Sequence, residues 1–190
     1  MIYIALIRGI NVGGNRKITM ERLRAVHLAA GLGEPRTLLQ SGNVVFIAGN
    51  EKRGALEARI AAALVGEMGV AVDVLVRTAD EVRAVLAANP LPAEARADPS
   101  HLLVMFLKAP LDLASGARLA ALATGAELVR PGKEEAYLYY PPPAGIGRSK
   151  LTGAVIEKAL RTVGTARNWT TLTKILALAE TLEAEERRAG

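Results

Sequence analysis

Hydrophobic positions along the chain follow two periods, one near 2 and one near 3.6. Ile2 to Ile7 is an unbroken apolar run that stops at Arg8-Gly9, which predicts a buried strand. Between Met20 and Ala30 the apolar residues Leu23, Val26 and Ala30 recur at helical spacing, with Thr19 as N-cap and a stop at Gly31 or Gly33. Arg36–Gln40 and Val44–Ala48 read as paired strands around a Ser41-Gly42-Asn43 turn. Leu56, Ile60, Ala63 and Leu64 line one face of a helix from Ala55 to Met68. Val70 to Val76 predicts a further strand. Thr78-Ala79-Asp80-Glu81 has the spacing of a capping box, opening a short helix that ends near Asn89-Pro90.

The same order then recurs. His101–Lys108 reads as a strand and Leu111–Ala123 as a helix. Glu127–Arg130 and Ala136–Tyr140 read as a hairpin, and Lys150–Val163 as a helix capped by Ser149. Thr165–Arg167 is a short extended piece before a last helix from Trp169 to about Glu186. Pro90, Pro92 and Pro99 crowd the stretch between the halves, as at a boundary. The expected fold class is α+β: two ferredoxin-like plait lobes related by a structural repeat, each with an added helix. The expected division is 1–90 for the first lobe, 91–99 for a proline-rich linker and 100–190 for the second lobe.

Composition changes this picture in three ways. Aromatic residues are only 4% of the chain, so Ala, Val, Leu and Ile must fill the core. The net charge of +5 and a pI of about 9.7 favour an anionic partner. The absence of cysteine excludes disulfides, thiol catalysis and thiolate metal sites, and is compatible with the cytoplasm, the expected location. The first apolar run is too short for a signal peptide and has no basic leader, and no stretch reaches membrane-spanning length.

Four clusters carry candidate chemistry. In the first, Arg8-Gly9-Ile10-Asn11-Val12-Gly13-Gly14-Asn15-Arg16-Lys17 follows a strand and precedes a helix, and its glycines can turn backbone N–H groups toward an anion. It is no P-loop, because Asn15-Arg16 stands where Lys-Ser/Thr is required. The second, Gln40-Ser41-Gly42-Asn43, is explained by turn geometry and also offers Gln40, Ser41 and Asn43 as hydrogen-bonding groups. The third, Gly145-Ile146-Gly147-Arg148-Ser149-Lys150, runs a basic loop into a helix start, where N–H groups and dipole favour a negative group. Ser149 alone accounts for a cap; Arg148 and Lys150 are the charges left over. The fourth spans Thr165 to Lys174: Asn168 is a candidate N-cap, Trp169 a core anchor, and Arg167, Thr171 and Lys174 fall at i, i+4 and i+7 as a polar stripe.

The two histidines, His27 and His101, lie in predicted elements away from these clusters, His27 expected half-buried in its helix. No Ser-His-acid constellation and no metal-ligand spacing stands out. Asp73 and Glu157 read as strand and helix residues, so no carboxylate is placed as a base and no catalytic residue is assigned.

In the motifs Leu6-Ile7-Arg8-Gly9-Ile10-Asn11-Val12-Gly13-Gly14, Gln40-Ser41-Gly42-Asn43-Val44-Val45-Phe46, Arg148-Ser149-Lys150-Leu151-Thr152 and Ala166-Arg167-Asn168-Trp169-Thr170-Thr171-Leu172-Thr173-Lys174, the chain resembles the bacterial family called domain of unknown function 1697. The resemblance runs to about Ala179. It implies two plait-like α+β lobes and carries no activity, cofactor or catalytic residue. The chain departs from the family at Ala166 and Thr171, where Thr and Asn are typical.

The expectation is a small phosphate- or carboxylate-bearing ligand in a cleft between lobes. Arg8, Asn11, Gly13, Gly14, Gln40, Ser41, Asn43, Arg148, Ser149, Lys150, Arg167, Asn168, Thr171 and Lys174 would hold it. The alternatives are RNA or DNA binding, for which Tyr3, Phe46, Phe106 and Tyr137, Tyr139 and Tyr140 offer the rings, and a protein-interaction module without a small ligand. No metal or membrane association is expected, and the cofactor and the oligomeric state are left open.

Overall fold

A computed structural model describes residues 1–11 and 17–189. The first series of elements is β1 (Ile2–Ile7), α1 (Met20–Ala29), β2 (Gly33–Leu38), β3 (Asn43–Ile47), α2 (Arg53–Met68), β4 (Val74–Thr78) and α3 (Ala79–Ala87). After α4 (Pro92–Ala97) the series repeats as β5 (Leu102–Leu107), α5 (Leu113–Ala121), β6 (Leu128–Pro131) and β7 (Glu135–Tyr139). It continues through a single turn, α6 (Gly145–Arg148), to α7 (Gly153–Leu160), β8 (Gly164–Asn168) and α8 (Trp169–Ala189). The strands form two sheets, ordered β2-β3-β1-β4 and β6-β7-β5-β8, and every pairing is antiparallel. The protein is therefore α+β, with two ferredoxin-like lobes related by a structural repeat, each carrying an added helix.

The repeat extends to particular residues although the sequences differ. Arg77 of β4 lies opposite Ile4, and Arg167 of β8 opposite Val104; each immediately precedes the residue that caps the next helix. Each arginine Nη1 donates to the carbonyl just before it, Val76 and Ala166, at 2.8 Å in both cases. β4 and β8 are edge strands, and a glutamate from the lobe's helix covers a backbone N–H of each. Glu57 of α2 accepts from Val76, and Glu157 of α7 from Gly164, both at 2.9 Å.

In the first lobe, Tyr3, Ala5, Ile7, Val44, Phe46, Val74 and Val76 share a core with Leu23, Val26, Leu56, Ile60 and Leu64 from α1 and α2. Its counterpart joins Met105, Leu107, Ala136, Leu138 and Tyr140 to Leu119, Leu151, Ile156 and Leu160. The alternate residues Ile2, Ile4 and Leu6, and likewise Leu102, Val104 and Phe106, are buried as well. Burial on both faces is why β1 and β5 read as unbroken apolar runs instead of alternating ones.

Two compact units divide the chain, Met1–Ala84 with Lys174–Gly190, and Val85–Thr173, so the divisions fall inside α3 and α8. Within the first unit, Arg36 of β2 pairs with Glu185, and Arg83 of α3 reaches Glu180 and Glu183 at 3.4 and 3.1 Å. Within the second, Tyr137 of β7 donates to the Val85 carbonyl at 2.7 Å.

The stretch at 91–99 contains α4, with Pro92 in its first turn, where a missing N–H removes no helical hydrogen bond. Several local expectations are corrected. The strand expected from Val70 begins only at Val74. Thr152, not Ser149, caps α7, its side chain accepting from Val155 N, so that helix starts at Gly153 and not Lys150. Arg167 lies in β8, which reduces the polar helical stripe to Thr171 and Lys174. His27 is fully buried, because α1 turns it onto the Phe46 ring, 5.8 Å between centroids.

Candidate functional site

At the end of β1 the chain must leave the sheet, and two residues allow the turn. Gly9 has φ +67° and Asn11 φ +56°, the left-handed region that asparagine tolerates better than most side chains. Asn11 then ties the loop together. Its Nδ2 donates to the carbonyls of Ile18 at 3.0 Å and Gln40 at 2.9 Å, while its Oδ1 accepts from Ile18 N at 2.9 Å. The β2–β3 turn is thereby held against the loop that leads into α1.

Gly42 forms the other half of this junction. Its carbonyl accepts from Ile7 N at 2.8 Å, and its φ is +73°. A Cβ there would lie 2.8 Å from the Ile7 carbonyl oxygen and 2.9 Å from Ile10 Cγ1. Asn43, almost wholly buried, donates through Nδ2 to Leu38 O at 3.1 Å and Ser41 Oγ at 2.9 Å. The Asn11 amide therefore joins the first two clusters, while the Asn43 amide braces the second from within.

A surface hollow opens at this junction, lined by Asn11, Lys17, Ile18, Thr19, Met20 and Gln40. Lys17, Gln40 and Ser41 are exposed. Thr19 caps α1 beside it, accepting from Arg22 N at 3.2 Å. Arg8 is half-exposed and stands 3.5 Å from Asp73, whose backbone carbonyl also accepts from Arg8 N at 2.9 Å. Asp73 lies just ahead of β4, so a carboxylate does stand beside the first cluster. Nothing in the local spacing of the chain signals that meeting, which the β1–β4 pairing produces. Gly13 and Gly14 lie outside the described residues.

In the second lobe, Arg148 and Lys150 are exposed on the α6–α7 connection, while Ser149 turns inward. Its hydroxyl donates to Glu127 and its Oγ accepts from Leu151 N at 3.0 Å. That hydrogen bond is the main reason the Glu127 carboxyl lies below the usual range. Arg167 donates to Thr165 Oγ1 at 2.9 Å as well as to Ala166 O. Burial pushes the Arg167 guanidinium down to about 10, the cost of holding a cation away from water. Asn168 caps α8, its Oδ1 accepting from Thr171 N at 2.8 Å. Thr171 is half-buried and Lys174 exposed.

A polar group that the motifs did not flag surrounds Asp98, at the end of α4. His101 Nδ1 approaches Asp98 Oδ1 at 2.8 Å, Ser100 Oγ donates to the same oxygen at 3.0 Å, and Tyr139 OH donates to Oδ2 at 3.3 Å. These hydrogen bonds, His101 first, hold the Asp98 carboxyl below its ordinary value. The turn sequence Asp98-Pro99-Ser100-His101 was the available signal. Among the described residues, no three His, Cys, Asp or Glu side chains gather as metal ligands. No helix among them is long and apolar enough to cross a membrane.

Among solved structures, a conserved bacterial protein from Streptococcus pneumoniae matches with a TM-score of 0.75 and 22% identity, covering 94% of this chain and 98% of that one. At that identity the likeness concerns the fold alone. No curated protein matches the chain. The family described as protein of unknown function, DUF1697, matches residues 1–137, and the chain, with its asparagine-tied loop junction, belongs to that family.

Proposed function

We propose that the protein binds a small anionic ligand, phosphate- or carboxylate-bearing, at the loop junction of the first lobe. The observation that supports this most directly is the hollow bordered by Asn11, Lys17, Thr19 and Gln40, with Arg8 and Ser41 on the loops that form it. Lys17 supplies positive charge at the lining and Gln40 a short-range hydrogen-bonding group, and Arg8 and Ser41, on the adjoining loops, are assigned to reach the ligand from beside it. Asn11 and Asn43 act one step back, because their amides are engaged in shaping the loops. The Arg8–Asp73 pair is long at 3.5 Å and half-exposed, an arrangement from which a ligand anion can draw the guanidinium. Arg148, Lys150 and Lys174 add to the positive field that concentrates anions near the protein. Arg167, Ser149, Asn168 and Thr171 have their main roles in positioning the second lobe's loops and helix. No reaction is assigned.

The nucleic-acid reading has less support. Tyr3, Phe46, Phe106, Tyr137 and Tyr140 are all buried, which leaves Tyr139 as the half-exposed ring of the six that could stack on a base.

The test is calorimetric titration with inorganic phosphate, nucleoside monophosphates, sugar phosphates and dicarboxylates, alongside short RNA. At least one small anion should bind, weaken with added salt, and lose about tenfold or more in affinity in Arg8→Ala and Lys17→Ala. Binding of RNA with a steep salt slope and no binding of small anions would overturn the reading.

A further inference from the structure

The second lobe holds a polar group that the anion-binding reading does not use. We propose that Asp98 and His101 form a proton-transfer site whose working atom is His101 Nε2, taking a ligand that carries a hydroxyl or ammonium group next to an acidic one. Asp98 Oδ1 meets Nδ1 at 2.8 Å, which selects the tautomer with the proton on Nδ1 and leaves the Nε2 lone pair as the acceptor. Asp98 is itself braced by Ser100 and by Tyr139, so the carboxylate that orients the ring is fixed from two more sides. Ser100 Oγ also lies 3.3 Å from Nδ1, on the Asp98 side of the ring, and thus leaves Nε2 uncontested.

The Nε2 edge faces the start of α6. A Cβ on Gly145 would stand 3.5 Å from both Cδ2 and Nε2, so glycine keeps that edge of the ring uncovered. The His101 side chain is 38% exposed. One helical turn onward, Arg148 is exposed, and its guanidinium is the group suited to the ligand's acidic part. An imidazole with one nitrogen held by a carboxylate and the other open to solvent can act as a general base on a ligand that reaches it.

Diethyl pyrocarbonate reads this directly, because the chain has two histidines and His27 is fully buried. Nε2 attacks one carbonyl of the anhydride, an N–C bond forms, and the C–O bond to the leaving ethyl carbonate breaks. The Nδ1 proton passes to Asp98 and on to solvent. The folded protein should form one carbethoxyhistidine quickly, read by the ultraviolet absorbance of the modified imidazole, and His101→Gln should abolish that signal. Asp98→Ala should slow the modification about tenfold with an unchanged circular dichroism spectrum. Glycerol phosphate should protect His101, and Arg148→Met should remove that protection. An equal rate in Asp98→Ala, or no protection by glycerol phosphate, would overturn the proposal. Both readouts concern His101 alone, so they stand apart from any result at the first-lobe hollow.

Discussion

Asn11 and Gln40, twenty-nine positions apart in the chain, are joined by a 2.9 Å hydrogen bond from the Asn11 amide to the Gln40 carbonyl. The same side chain closes its own loop through both the N–H and the carbonyl of Ile18. One amide thus ties Asn11 to Ile18 and to the β2–β3 turn beside the candidate hollow.

Replacing Asn11 with glycine keeps the φ of +56° accessible and deletes only the side-chain bonds. Asn11→Gly should cost about 1–3 kcal/mol in urea unfolding, since it strands partners that the fold had satisfied. Asn11→Ala should cost more, because alanine also resists the left-handed backbone. Equal stabilities for wild type and Asn11→Gly would show that the loop junction holds without the amide.

Gly42 and Gly31 make a controlled pair, since both have φ +73°. A Cβ on Gly31 meets nothing within 4 Å, whereas one on Gly42 meets the Ile7 carbonyl oxygen at 2.8 Å. Gly31→Ala should cost about 1–2 kcal/mol, the backbone term alone. Gly42→Ala should cost about 2–5 kcal/mol, because a backbone atom has to move as well. Thermal melts of the two variants make the comparison.

The two lobes cap their added helices at equivalent places with different residues. Thr78 Oγ1 accepts from Glu81 N at 3.1 Å, and Asn168 Oδ1 from Thr171 N at 2.8 Å. Thr78→Ala and Asn168→Ala should each lose about 0.5–2 kcal/mol, whereas Asn168→Asp should lose little. In the first lobe Glu81 also returns a bond to Thr78 N at 2.8 Å, so Glu81→Ala should destabilise too.

His27 gives the protein an acid-sensitive core. Burial lowers its pKa from the ordinary 6.5, against a smaller opposing effect from its 2.8 Å contact with the Leu23 carbonyl. The unfolded chain therefore takes up a proton at a pH where the folded one does not. This contribution to stability is complete above about pH 6.5 and declines as pH falls below it, toward the lower folded-state value. His27→Leu should flatten that part of the stability profile in denaturant unfolding at a series of pH values. A profile of unchanged slope between neutral and mildly acid pH would refute the assignment.

Which of these features could be read in the sequence follows from how far apart the interacting residues lie. The strands and helices were legible because burial on one or both faces imposes a period on the apolar residues, as in Ile2–Ile7 and in Leu56, Ile60 and Leu64. The Thr78–Glu81 box and the Asn168 cap were legible because both partners sit within three residues. The β-α-β-β-α-β order, twice over, was enough to name the plait.

Where Thr152 displaces Ser149 as a cap, two acceptable capping residues stood in the same basic loop, and Glu127, over twenty positions away, decided between them by engaging Ser149. Arg8 met Asp73 through the pairing of β1 with β4, and Asn11 met Gln40 through the packing of one loop on another. Local sequence determined the elements and the caps at Thr78 and Asn168, since these depend on neighbours along the chain. Tertiary structure alone decided which polar side chains serve the fold and which remain exposed, because that depends on atoms brought close only when the sheets assemble.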